Sequence, residues 1–183
     1  MSCLICDKFS FSIICKECQT KLLTPNIKKR DDVVSFYNYD DIQFLIKYKY
    51  NPFGSRVFEI LAKNSFAKFK DVYQKNIYSI GIDDNAKKGY SHTAILNHSL
   101  KSKYITPIYN VLLSQNHITY AGQSLEFRKN NPRNFKYTGK KNIEVILVDD
   151  IVTTGTTINE AKKVLSEFGV RVAFCMVLAD KRW

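Results

Sequence analysis

Residues 145–157 constrain this chain more than any other stretch: Val-Ile-Leu-Val-Asp-Asp-Ile-Val-Thr-Thr-Gly-Thr-Thr. The apolar run over residues 143–148 reads as a buried strand. It delivers two adjacent carboxylates, Asp149 and Asp150, to its C-terminal end. Four threonines and one glycine then lead into a helix that starts at Thr156 or Thr157 and runs to Phe168. Thr157 and Glu160 are spaced as a capping box, and Gly169 supplies the stop. A further strand is expected over residues 171–178. Strand, helix and strand within the last 41 residues make a βαβ unit, which calls for a parallel sheet covered on both faces.

The turn itself has a chemistry. Open α/β sheets bind ligands beyond the C-terminal ends of their strands. At a helix N-terminus the first N–H groups lack intrahelical partners and the helix dipole favours negative charge. The hydroxyls of Thr153, Thr154, Thr156 and Thr157 add donors, and Gly155 lets the backbone approach a phosphate closely. Asp149 and Asp150 stand beside that seat as acceptors for a pair of sugar hydroxyls. The plain alternative is a strand–turn–helix that merely carries acids at its turn.

At the other end, Cys3-Leu-Ile-Cys6 and Cys15-Lys-Glu-Cys18 are two C-x-x-C units separated by eight residues. Each such turn can present two thiolates to one metal, and two turns complete a tetrahedral zinc site with no position left for water. The zinc expected on Cys3, Cys6, Cys15 and Cys18 is therefore structural, and it would supply most of the folding free energy of so small a segment. Two reactive dithiols are the rival reading. Cys175 lies in an apolar run and is expected in the core.

Between these ends the pattern alternates strands and helices. A strand is expected over residues 31–39, and a helix capped by Asp40 or Asp41 through residue 50. A second helix covers residues 55–70, a strand 77–82, a helix 93–102, and a strand or helix begins at 105–109. Residues 114–141 read as a long basic loop with short structure. The domain division expected is a four-cysteine finger over 1–24 and an α/β domain over 31–183. His92, His98 and His117 stand apart from one another and are read as surface or core histidines.

Charge is distributed unevenly. The chain carries 28 Lys and Arg against 17 Asp and Glu, a net charge of +11, yet residues 85–141 hold ten basic residues and a single acid, Glu126. Such a field favours polyanions: nucleic acid, phosphorylated small molecules or anionic lipid. A lysine-rich surface serving solubility is the bland reading. No stretch approaches the ~18 apolar residues of a membrane span. With two cysteine pairs spaced for metal and no apolar leader pattern, a cytoplasmic protein is expected.

Residue for residue, 145–157 resembles the phosphoribosyl pyrophosphate loop of type I phosphoribosyltransferases. The resemblance implies that family's parallel sheet flanked by helices. It gives Asp149 and Asp150, the catalytic acid pair, the ribose 2′ and 3′ hydroxyls, and gives Thr153, Thr154, Gly155, Thr156 and Thr157 the 5′-phosphate. It also implies magnesium arriving with phosphoribosyl pyrophosphate.

A four-cysteine knuckle ahead of such a domain resembles the ComF-type competence proteins (the ComFC group), and the likeness runs almost end to end. Phe36-Tyr37-Asn38-Tyr39 and Lys47-Tyr48-Lys49-Tyr50 correspond to the family's tyrosine-rich strand and its helix ending near Lys-Tyr. Lys88-Gly89-Tyr90-Ser91-His92 stands where the family reads Arg-Gly-Phe-Asn-Gln. Gln123, followed ten residues later by Arg133-Asn134 and then Phe135, matches a further element. Where the family has Pro-Val-Pro after the central strand, this chain has Gly81-Ile82-Asp83. In related transferases that loop faces the pyrophosphate, so Gly81, Ile82, Asp83 and Asp84 become its candidate contacts.

Membership would imply a cytoplasmic factor for natural transformation, peripheral to the inner membrane, that handles incoming single-stranded DNA with other DNA-uptake proteins. Lys87, Lys88, Tyr90, Arg128, Lys129 and Arg133 are the candidate nucleic-acid contacts, since cations interleaved with aromatics hold single strands without reading sequence. The competing readings are an active phosphoribosyltransferase of nucleotide metabolism using magnesium and phosphoribosyl pyrophosphate, and a regulator that only senses that sugar.

Overall fold

The structure, a computed structural model, describes residues 1–83, 85–86, 89–116 and 131–183. Asp84, Lys87, Lys88 and residues 117–130, with Arg128 and Lys129 among them, lie outside the described residues.

Eight strands and six α-helices are described. Helix α1 (Lys16–Leu22) follows the cysteine turns; β1 (Lys28–Arg30) and β2 (Val33–Asn38) lead to α2 (Tyr39–Ile46) and a 3-10 turn (Lys47–Tyr50). Helices α3 (Gly54–Asn64) and α4 (Phe66–Lys70) precede β3 (Ile77–Gly81), α5 (His92–Ser99) and β4 (Ile105–Ile108). The short strands β5 (Leu112–Ser114) and β6 (Phe135–Tyr137) pair antiparallel. The chain closes with β7 (Glu144–Val152), α6 (Thr156–Glu167) and β8 (Arg171–Asp180).

The main sheet has the order β1-β2-β8-β7-β3-β4, parallel from β2 to β4 with β1 antiparallel at one edge. This is the α/β class expected, a mostly parallel sheet flanked by helices with a cysteine cluster at its N-terminal end. Alternation along the central strands sorts their side chains onto two faces. Ile146, Val148, Met176 and Leu178 join a core under α2 to α5; Val145, Leu147, Cys175 and Val177 join another under α6 and the β5–β6 hairpin. Cys175 is buried, as expected.

The cysteine segment shares the first of these cores. Cys3, Ile14, Cys18 and Leu23 belong to the same buried cluster as Phe36, Leu61 and Phe66. Tyr37 Oη donates to the Leu23 carbonyl at 2.9 Å, and Asn64 Nδ2 donates to Gln19 Oε1 at 3.2 Å. No helix among the described residues is long and apolar enough to cross a membrane.

Several expected boundaries move, each for a local reason. The helix expected over 55–70 is two, because the buried Ser65 hydroxyl donates to the Leu61 carbonyl at 2.6 Å and the backbone breaks there. Helix α2 is capped by Asn38, whose side chain accepts from the Asp40 amide, rather than by Asp40 or Asp41. Strand β7 runs to Val152 instead of stopping at 148, since Ile151 and Val152 still pair with Ala179 and Asp180 of β8.

The expected capping box is absent. Gly155 is the N-cap of α6, and Glu160 turns away to accept the amides of Arg133 at 3.0 Å and Asn134 at 2.7 Å. Glu160 thus ties the residues entering β6 to the helix. Hydrogen bonds to a charged group contribute about 1.5–3 kcal/mol each at most. Replacing Glu160 by Ala is expected to cost about 2 kcal/mol in urea unfolding, whereas Thr157→Ala should stay within about 0.5 kcal/mol.

Candidate functional site

Strand β3 stops pairing with β7 at Gly81, opposite Val148, while β7 continues beside β8 for four more residues, Asp149 to Val152. The sheet therefore has a step at Asp149 and Asp150. Strand β3 connects onward through α5 to β4 on one side, and β7 connects through α6 to β8 on the other. That reversal is a topological switch point, where open α/β sheets form their ligand crevice.

The two acids leave β7 on opposite sides, as neighbouring strand residues do. Asp150, on the α5 side, is buried and receives Lys49 Nζ at 2.8 Å; His92 Nε2 lies 3.4 Å from the same Oδ2. Asp149 accepts the Asp150 amide on Oδ1 at 2.8 Å. Burial and the neighbouring charge of Asp150 push the Asp149 carboxyl well above the ordinary range, against the pull of Arg133. Asp150 moves the other way: burial opposes its charge, but Lys49 and His92 hold it ionised, below the usual carboxylate range. Burial lowers His92, with Asp150 working against that effect.

Beyond the acids the backbone turns at Gly155, which has φ of +80°. A side chain there would be strained by that angle, although a Cβ would meet only Arg182 Nη1, at 3.8 Å. Thr154 and Thr156 share a hydroxyl hydrogen bond of 2.9 Å above the turn. Helix α6 spans 12 residues behind it. Arg182 reaches the turn because Asp180 grips its Nε at 2.9 Å and its Nη2 at 2.8 Å.

Of the residues expected to face a pyrophosphate, Gly81 and Ile82 are buried at the step and Asp83 stands at its edge. Asp83 has φ of +49°, accepts the Ser114 amide at 3.1 Å and lies 3.6 Å from Arg133 Nη1. Two residues read from sequence as nucleic-acid contacts are described. Arg133 lies at this crevice, within electrostatic reach of His92 and Asp149. Tyr90 donates its hydroxyl to the Lys49 carbonyl at 2.7 Å. Lys49 and His92 stood in stretches quoted from the sequence but carried no site role there, and Arg182 was not singled out at all. No motif brings residues 49, 92, 150 and 182 together; only the local fingerprint over residues 145–157 is contiguous. His92, expected on the surface or in the core, is instead beside the acid pair, because Ser91 caps α5 and starts that helix at the crevice. An open groove of about 740 Å³ between α3, α4 and α5 includes none of the acid-pair or turn residues.

At the N-terminal end the four cysteine Sγ atoms lie within 4.8 Å of one another, and no other such group of three or more occurs among the described residues. Cys6 and Cys15 Sγ are 3.8 Å apart, about the edge of a tetrahedron with ~2.3 Å metal–sulfur bonds. The Ile5 and Cys15 amides donate to Cys3 Sγ, and the Cys18 amide to Cys15 Sγ, as suits thiolates. Burial raises the Cys3 thiol, yet amides of Cys15, Cys6 and Ile5 more than reverse this, to about 6. The donor set fits a structural zinc ion.

A magnesium ion at the acid pair finds fewer protein ligands. Asp150 Oδ2 is engaged by Lys49, and Asp149 Oδ1 by an amide. The remaining carboxylate oxygens suit a magnesium ion that brings phosphate oxygens with it, the usual way this ion is held.

The pH dependence has a definite sign. A raised Asp149 carboxyl keeps its proton in the folded protein to a higher pH than in the unfolded chain, so its ionisation costs stability above the ordinary carboxylate range, and that cost is relieved as pH falls. The ionised carboxylate is the stronger acceptor for sugar hydroxyls. Affinity for a ribosyl phosphate is expected to strengthen as pH rises through the raised value. Calorimetry in buffers of different ionisation enthalpy should register proton release on binding, and Asp149→Asn should abolish it.

Residues 112–182 match the phosphoribosyl transferase domain. The chain is 34% identical over 91 residues to Competence protein F of Haemophilus influenzae, covering 46% of this chain and 40% of that protein. It is 26% identical over 180 residues to Competence protein ComFC of Streptococcus pneumoniae, covering 93% of this chain and 76% of that one. The chain thus spans less than half the length of the first relative and about three quarters of the second. Among solved structures, adenine phosphoribosyltransferase from Leishmania tarentolae aligns over 86% of this chain and 95% of its own, at 12% identity and a TM-score of 0.48.

Proposed function

Starting from a chain that carries a phosphoribosyl transferase domain behind a four-cysteine cluster and is similar to competence proteins F and ComFC, we propose that it binds phosphoribosyl pyrophosphate, or another ribose 5-phosphate group, as a cytoplasmic competence factor that handles incoming single-stranded DNA. The observation that carries the ligand is the pairing of a left-handed glycine turn, opening a 12-residue helix, with an acid pair at the switch point of the sheet. The 5′-phosphate rests on the amides over residues 153–157, and the ribose hydroxyls face Asp149 and Asp150. The pyrophosphate lies toward Gly81, Ile82, Asp83 and Asp84. Magnesium neutralises the pyrophosphate when it is bound; the chain's own residues hold and orient the sugar.

The DNA part rests on charge and on the relatives' names. Lys87, Lys88, Arg128, Lys129 and Arg133 belong to the basic stretch over 85–141, and such a field gives steeply salt-dependent binding of single strands. Division into a zinc finger over 1–24 and a transferase-like domain over 31–183 belongs to the same reading. A second reading, an active transferase, is favoured by the placement of Asp83 and Arg133 across the step from the acids. There pyrophosphate would leave C1′ through an oxocarbenium-like state, with the protein supplying position and charge.

The test is calorimetric titration of zinc-loaded protein with phosphoribosyl pyrophosphate and magnesium, alongside fluorescence anisotropy with a single-stranded oligonucleotide over a salt series. Saturable heat and a steep salt slope are expected. No heat with any ribosyl phosphate would remove the ligand reading, and salt-insensitive or absent oligonucleotide binding would remove the DNA reading. Pyrophosphate release on adding an acceptor base would establish the transferase.

A further inference from the structure

We propose that Lys49 is a built-in counter-cation of the acid pair, so that a ribose 5-phosphate binds at this site without magnesium. The inference rests on the ribose-phosphate reading above and concerns what neutralises the carboxylates when the sugar arrives. Two adjacent carboxylates in a shielded crevice repel each other, and a bound divalent ion is one source of the offsetting charge. Here the offset is already in the chain. The Lys49 ammonium contacts Asp150 at 2.8 Å, with the two side chains only 18% and 9% exposed. His92 lies 3.4 Å from the same carboxylate oxygen.

The contact is built rather than adventitious, because three separated segments hold it. Lys49 sits in the 3-10 turn after α2, 101 residues from its partner. Its own carbonyl is fixed by the Tyr90 hydroxyl at 2.7 Å. That hydroxyl occupies the space over Gly54 so closely that a Cβ on Gly54 would come within 2.0 Å of it. The start of α3, the residues ahead of α5 and the 3-10 turn therefore lock together and aim one lysine at the acid pair. Lys49 is a positioning residue in this scheme: it holds Asp150 ionised and in place from the α5 side, while Asp149 leaves β7 on the opposite side.

The experiment is titration of zinc-loaded protein with ribose 5-phosphate, which carries no pyrophosphate to chelate magnesium, so that any magnesium dependence reports on the acid pair. Magnesium is omitted rather than chelated, because a chelator would also strip the cysteine site. Wild-type affinities with and without magnesium are expected to agree within about threefold. Lys49→Met is expected to lose tenfold or more without magnesium, the scale of one charge-assisted hydrogen bond, and to recover most of it when magnesium is added. Lys49→Arg, which keeps the charge, should stay near wild type in both buffers. Wild-type binding only in the presence of magnesium overturns the inference, and needs no variant to fold. Equal magnesium dependence of wild type and Lys49→Met overturns it as well. Absence of ribose 5-phosphate binding in both buffers instead overturns the parent reading, and this one with it.

Discussion

Replacing Asp149 and Asp150 together by alanine is expected to lower affinity for phosphoribosyl pyrophosphate by about a hundredfold or more, with the fold retained. Each ionised carboxylate that accepts a sugar hydroxyl contributes about 1.5–3 kcal/mol when the site is shielded from water. Losing both removes on the order of 3–6 kcal/mol, and every 1.4 kcal/mol is tenfold in affinity. The two single variants should differ. Asp150 is buried against a cation that needs it, so Asp150→Ala strands the Lys49 ammonium, takes from His92 Nε2 its neighbouring carboxylate, and should lower the melting temperature as well as affinity. Asp149 is raised by burial and by Asp150, so Asp149→Ala removes an unfavourable ionisation and should leave stability unchanged or higher while still weakening the ligand. Calorimetry for affinity and circular dichroism melts for stability separate the two effects. Full affinity in the double variant would show that the acid pair does not read the sugar.

The second large effect is expected at the other end of the molecule. Removing the metal, or making Cys18→Ser, should destabilise the whole protein and not only its first 24 residues. A small segment with four thiolates depends on its ion for folding, and structural zinc is associated with about 10–16 kcal/mol in isolated fingers. Here the segment is not isolated: Cys3, Ile14, Cys18 and Leu23 are buried in one cluster with Phe36, Leu61 and Phe66. Opening it uncovers part of the core beneath α3 and α4 and leaves Tyr37 Oη without the Leu23 carbonyl. Even several kcal/mol corresponds to a fall of about 10–20 °C in melting temperature for a chain of this size. Zinc content by atomic absorption, measured together with the melt, checks it. A metal-free protein that melts where the loaded one does would mean that the cluster contributes nothing to the fold.

The same two regions divide what could be read in advance from what could not. The strand–turn–helix around Gly155 was legible because its residues are consecutive: strand, acid pair, threonines, glycine and helix follow one another, and each is set by local backbone requirements. Gly155 takes the left-handed conformation such a turn requires. The four cysteines were legible for a similar reason, since two C-x-x-C spacings already bring thiolates into pairs. The capping box at Thr157 and Glu160 failed although its spacing was correct. Glu160 had two amides of the 133–134 segment to satisfy, and a tertiary partner displaced the local one.

Sequence alone, then, determined the parallel βαβ unit, the turn and the metal-type cluster, because each is specified by neighbours within about a dozen residues, where backbone geometry leaves few alternatives. Tertiary structure decided the electrostatics. Lys49, His92, Arg133 and Arg182 come to the crevice from the turn after α2, the start of α5, the entry to β6 and the end of β8, and no periodicity links those positions. Charge interactions act through space and depend on burial, so which carboxylate of the pair stays ionised is settled only when the distant cations are folded against it.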